Sequence, residues 1–148
     1  MELAIAVVIL VIIMMLAVPS MNGVLADRRL RKSLDEFNSL VRQAHERSIA
    51  ERRPYLIMWR DGNVAVRPEA LLRGEDRAPV AMWKFNKGES LRVSFPSALI
   101  DDPPPEWIFW SSGNCEPVVV TYRGKNGGWT ARYSALTARA EVSNYVAR

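Results

Sequence analysis

Three hydrophobic patterns succeed one another along the chain. From Leu3 to Val18 sixteen consecutive residues are apolar, and no charge stands between Glu2 and Asp27. From Asp27 to Arg52 the pattern becomes two-faced. Leu30, Leu34, Phe37, Val41, Ala44 and Ser48 recur at steps of four and three, flanked by Leu40 and Ile49. Arg28, Arg31, Lys32, Asp35, Glu36, Arg42, Glu46 and Arg47 take the opposite side. This spacing is one stripe of an α-helix. After Pro54 the period drops to two, and β-branched and aromatic residues dominate.

Only Pro19 and Gly23 interrupt the first two patterns. A proline inside a helix removes one hydrogen bond and bends the axis without ending it. Pro54 closes the run, because the residue before a proline disfavours helix. The spacing predicts one long helix kinked at Pro19 and Gly23, of about 50 residues and about 75 Å at the usual rise. Its stripe of Leu30, Leu34, Phe37, Val41 and Ala44 is expected to pack on the domain that follows.

Three explanations compete for residues 1–26. A membrane helix needs about 20 apolar residues, and the uncharged stretch reaches Ala26. Leu3, Ile5, Val8, Ile9, Leu10, Ile12, Ile13, Leu16 and Val18 would then face lipid. A cleavable signal peptide would use Val24-Leu25-Ala26 as its cleavage site, but Glu2 replaces the usual basic n-region and the apolar run is long. A buried core helix would need a much larger protein around it. The expectation is a membrane span over 1–26, an amphipathic continuation over 27–53, and a β domain over 54–148.

Within that domain, Tyr55–Trp59 reads as a strand, with Asp61-Gly62-Asn63 turning into Val64–Val66. Ala81–Phe85, Leu91–Phe95, Trp107–Trp110, Val118–Tyr122 and Trp129–Tyr133 are further strands, and Leu136–Val142 a short last one. Turns are expected at 86–89, 111–114 and 124–128. Pro103-Pro104-Pro105 is a stiff loop. The fold class expected is α+β, a long helix on an antiparallel sandwich or curled sheet. The five Trp residues read as core fillers rather than stacking platforms.

Composition sharpens this only modestly. The chain has 148 residues and a formal charge of +4, enough for one domain and an appendage. Residues 27–53 carry eight basic and five acidic side chains, and residues 54–148 twelve and ten. Such a balance does not by itself argue for nucleic acid. One cysteine, Cys115, allows no internal disulfide, and one histidine, His45, supports no ordinary zinc site.

Catalytic spacing is absent. His45 lies on the charged helix, where a solvated role is expected, and Cys115 has no basic neighbour to activate it. No glycine-rich phosphate loop occurs, since Gly124, Gly127 and Gly128 read as hairpin. Asp101-Asp102 lacks the further carboxylates of a calcium site. The chain is read as a non-enzyme without a cofactor.

Glu2, the apolar run and Pro19 seventeen residues on together resemble the N-terminal helix of type IV pilins and type II secretion pseudopilins. The Arg-rich continuation, with Arg28-Arg29-Leu30-Arg31 and Ala44-His45-Glu46-Arg47-Ser48-Ile49, is similar to H-type minor pseudopilins and FimT-like minor pilins. So is the tail, with Trp107-Ile108-Phe109, a Gly-Asn turn, Trp129 and the segment from Leu136 to Val142, although Ala138 stands where that family often has Gly.

The resemblance implies a structural subunit of a secretion pseudopilus or pilus, with other pseudopilin or pilin subunits as partners. It implies a wait in the inner membrane, a C-terminal domain in the periplasm, and the lipid bilayer as a second partner. Glu2 would pair with the N-terminal amine of a neighbouring subunit. The family's basic leader ending in Gly does not precede Glu2 here, so a prepilin peptidase is a partner only if a leader belongs in front. A chain that is not processed would stand outside ordinary filament assembly. The basic cluster from Arg28 to Lys32 pulls the other way on orientation, since positive charge favours the cytoplasmic side.

Two rival readings accompany this one. A DNA-uptake pilin would contact nucleic acid through Arg123, Lys125, Arg132 and Arg139, with Arg148 beyond them. An exported soluble domain would begin at Asp27 after cleavage.

Overall fold

The computed structural model describes residues 2–60, 62–98 and 103–147; along the helix, side chains are described for residues 4–14 and from 23 onward. One helix, α1, runs from Glu2 to Ala50 without interruption. It passes through Pro19 and Gly23, and no kink is described there.

The helix stops where its backbone changes hand. The Glu51 amide still reaches the Arg47 carbonyl at 2.9 Å, but Arg52 adopts a φ of 52°. Arg53, held before Pro54, cannot resume the helix. This is the left-handed closure common at helix C-termini, here without the usual glycine.

Eight strands follow: β1 (Tyr55–Arg60), β2 (Asn63–Pro68), β3 (Ala81–Lys84), β4 (Ser90–Ser94), β5 (Glu106–Phe109), β6 (Val118–Gly124), β7 (Gly127–Tyr133) and β8 (Ala140–Ala147). They form two four-stranded antiparallel sheets, ordered β3-β2-β1-β5 and β4-β6-β7-β8. The register of β1 on β2 places Ile57 opposite Val66 and Trp59 opposite Val64. That of β6 on β7 places Val120 opposite Ala131 and Tyr122 opposite Trp129. Alternate residues therefore point inward from both sheets.

The core lies where α1 meets those two inner faces. Leu30, Phe37, Val41 and Ala44 are buried on the helix, and Leu34 is half-buried. Phe37 is fully buried, with Trp83, Trp129 and Tyr133 ring centroids 5.7–6.2 Å away. Removing such a ring costs about 3–5 kcal/mol. Trp107 of β5 and Tyr133 of β7, 5.3 Å apart, join the two sheets within the core.

Two details of strand placement are not carried by the local sequence. The turn at 86–89 forms, with the Glu89 amide on the Asn86 carbonyl at 3.0 Å. The strands on either side do not pair, however, since β3 belongs to the first sheet and β4 to the second. The last strand begins at Ala140 rather than Leu136. Ala138 takes a φ of 51°, and the 134–139 segment closes on itself through Ser134 and Arg139.

The membrane expectation needs correction. Among the described residues no helix is long and apolar enough to cross a membrane. The transmembrane first half, and with it the single-pass inner-membrane placement with a periplasmic C-terminal domain, is therefore not supported.

Candidate functional site

Two surfaces stand out: the part of α1 that no strand covers, and a cleft beside the part that is covered. On the uncovered part, Ile5 and every residue from Val7 to Met14 are between 45% and 62% exposed. Val24 and Leu25 are exposed as well, and burial begins at Ala26. Of the residues expected to face lipid, Ile5, Val8, Ile9, Leu10, Ile12 and Ile13 lie on this exposed stretch. The side chains of Glu2, Leu3, Leu16, Val18 and Pro19 lie outside the described residues. Gly23 is described and has open space around its Cα.

From Ala26 onward the helix is fastened by polar contacts as well as by its stripe. The Tyr145 hydroxyl, from β8, donates to the carbonyl and the carboxylate of Asp27 at 3.1 and 2.9 Å. That hydrogen bond, helped by Arg31 at 2.9 Å, holds the Asp27 carboxyl below the usual carboxylate range. The Trp129 indole donates to Ser33 Oγ at 2.9 Å, which donates in turn to the Leu30 carbonyl at 2.7 Å. The Tyr133 hydroxyl donates to Asn38 Oδ1 at 2.6 Å, and burial pushes the Tyr133 phenol up.

Near the helix C-terminus, His45 Nε2 donates to the Gly113 carbonyl at 2.8 Å. His45 is thus half-buried against the turn after β5 rather than solvated. Arg53 fixes the following segment, reaching Glu75 at 2.6 Å and Glu51 at 2.6 Å. The Arg53 hydrogen bonds, with the Leu72 amide, bring the Glu75 carboxyl down to about 2.

The predicted nucleic-acid contacts divide among different surfaces. Arg123 and Arg132 are exposed on the outer face of the second sheet, because Val120, Tyr122, Ala131 and Tyr133 take the alternate inward positions. Arg92 of β4 shares that face and pairs in register with Thr121. Lys125 sits instead at the β6–β7 turn and lines the cleft, and Arg139 lies in the turn before β8. Cys115 is buried, and burial pushes its thiol up to about 11. Among the described residues no three His, Cys, Asp or Glu side chains gather as a metal site.

The cleft, of about 520 Å³, opens between α1 and the two turns at 86–89 and 124–127. Arg29 and Lys32 reach it from the helix, Lys84 and Lys87 from the end of β3 and its turn, and Lys125 from the second turn. Sequence reading missed it because its cations come from separate segments with no shared period. The only local sign was the Asn-Lys-Gly-Glu and Gly-Lys-Asn-Gly chemistry of the two turns.

A long N-terminal helix seated on two antiparallel sheets is a pilin-like fold, shared with solved minor pilins and pseudopilins. The type IV minor pilin FimU of Pseudomonas aeruginosa is similar over 79% of this chain and 90% of that chain, at a TM-score of 0.55 and 16% identity. The minor pseudopilin EpsH from the type II secretion system of Vibrio cholerae is similar in two solved structures. One covers 78% of this chain and 98% of that chain at a TM-score of 0.56 and 14% identity. The other covers 78% and 94% at 0.57 and 11%. At these identities the likeness is one of fold. No protein-family model matches the sequence, and no curated protein matches it.

Proposed function

We propose that this chain is a minor pilin or pseudopilin subunit that assembles into a helical filament serving protein secretion, with its bare apolar helix packed among those of neighbouring subunits. The observation that carries the reading is the exposed run from Ile5 to Met14. A continuous apolar surface of this kind marks a site of association. Helices of like subunits offer a matching apolar surface. Within such a bundle Glu2 is tolerable only if its carboxylate meets a cation, for which a neighbour's N-terminal amine is suited. A bend at Pro19 and Gly23 would let the bare segment adjust to the bundle without disturbing the seated part.

Co-assembly of the full chain with its filament, read by sedimentation and immunoblot, tests this. Ile9→Lys should reduce the incorporated fraction more than tenfold while leaving the unfolding transition of the domain unchanged. Incorporation at the wild-type level would sink the proposal.

A second reading rests on Arg92, Arg123 and Arg132 sharing the outer face of the second sheet. Such a face would neutralise phosphates of DNA. A mobility shift that weakens with salt, and whose log–log salt slope falls by about one on Arg123→Ala, would support it. No shift at any salt concentration removes it.

A further inference from the structure

We infer that the cleft between α1 and the turns at 86–89 and 124–127 is a docking site for an acidic segment of a partner polypeptide. Five cations line it, drawn from three elements: Arg29, Lys32, Lys84, Lys87 and Lys125. The two turns approach each other, since Lys125 Cε lies 3.7 Å from where a Cβ on Gly88 would stand. Lys87 and Lys125 are therefore brought to one rim by the fold, not by neighbouring positions in sequence.

Two carboxylates share the walls, and both are committed. Glu89 accepts from the Asn86 amide at 2.7 Å and from its side chain at 3.0 Å. Glu36 lies 3.7 Å from Lys32. Among the described residues, Arg29, Lys84, Lys87 and Lys125 form no ion pair. The cleft thus gathers a local excess of three positive charges in a chain whose total is +4. Like charges converging on a concave surface repel one another, and they focus a field that draws in an anion.

The form of the wall favours a peptide over a nucleic acid. Four of the five cations are lysines, point charges on flexible stems, rather than the planar forks that grip phosphate in a fixed orientation. Glu36 and Glu89 interleave with them, which a ligand with evenly spaced phosphates would meet as repulsion. A peptide can place its carboxylates between those points. Trp83, half-buried in the wall, offers an apolar face for an intervening side chain. The side chains of Asn86 and Asn126 offer hydrogen bonds to a peptide backbone.

Fluorescence anisotropy tests this on the full chain kept monomeric in nonionic detergent. The probe is a labelled peptide of alternating Glu and Leu. It should bind, and the affinity should fall as salt rises. Lys87→Glu combined with Lys125→Glu should weaken binding at least tenfold. Arg92→Glu combined with Arg132→Glu, on the outer sheet face, should leave it within twofold. Thermal unfolding of both variants establishes that they fold. Absence of salt-sensitive binding, or equal binding by the lysine variant, overturns the inference. So does a duplex oligonucleotide of the same charge that binds more tightly through the same lysines. None of these readouts depends on filament assembly, so the two proposals fail separately.

Discussion

Ser33 is a small polar residue at a buried point of the helix, 7% exposed. It accepts from the Trp129 indole and donates to the Leu30 carbonyl. Ser33→Ala leaves an indole N–H buried without a partner, and such groups cost about 1–3 kcal/mol. Chemical denaturation should show a loss of that size, with little change in the denaturant slope. Arg52 is the opposite case, a residue in an unfavourable setting. Its φ of 52° is the left-handed region, and the side chain is exposed. Arg52→Gly should raise stability by about 1 kcal/mol, the relief of that conformation less the added freedom of the unfolded chain. An unchanged or lower denaturation midpoint would contradict the backbone argument.

The element scale shows how Arg53 and Glu75 hold the connection between β2 and β3. The Glu75 carboxyl lies lower in the folded protein, about 2, than in an unfolded chain, because Arg53 and the Leu72 amide stabilise the anion. A depressed folded value means the contribution is complete above the unfolded pKa of about 4.3 and is lost as pH falls toward 2. The Glu75 carboxyl resonance should titrate near pH 2. Glu75→Gln should remove that part of the acid dependence of unfolding.

The same scale marks what the sequence could disclose. The stripe from Leu30 to Ala44 and the alternation in β2, β6 and β7 were legible because each depends on a local period and a buried face. The assignment of β3 and β4 to different sheets was not, since a turn at 86–89 looks alike whether its flanks pair or diverge. The shift of the last strand to Ala140 follows from Ala138 adopting a glycine-like conformation, which its side chain gives no reason to expect. The contact of His45 with Gly113, 68 positions away, and the convergence of Lys87 with Lys125 are consequences of chain path. No spacing encodes them.

At the scale of the whole molecule, the described side chains of α1 are bare before Ala26, and the seated part begins there. The described residues before Ala26 are exposed and should add little to domain stability. A chain begun at Val24 should therefore unfold at the temperature of the full chain. A chain begun at Lys32 loses the Asp27–Tyr145 contact and the buried Leu30 side chain. It should be less stable by about 2–5 kcal/mol for Leu30 alone. Differential scanning calorimetry of the two truncations decides whether the seam lies at Ala26.

The seated part of α1 also has a mechanical meaning. Its contacts run lengthwise, from Tyr145 on Asp27 through Trp129 on Ser33 and Tyr133 on Asn38 to Gly113 on His45. A tug applied to the bare end acts parallel to that row and loads every contact in shear at once. The joint cannot peel open one clasp at a time, so the globule stays on its stalk until the whole row gives way together.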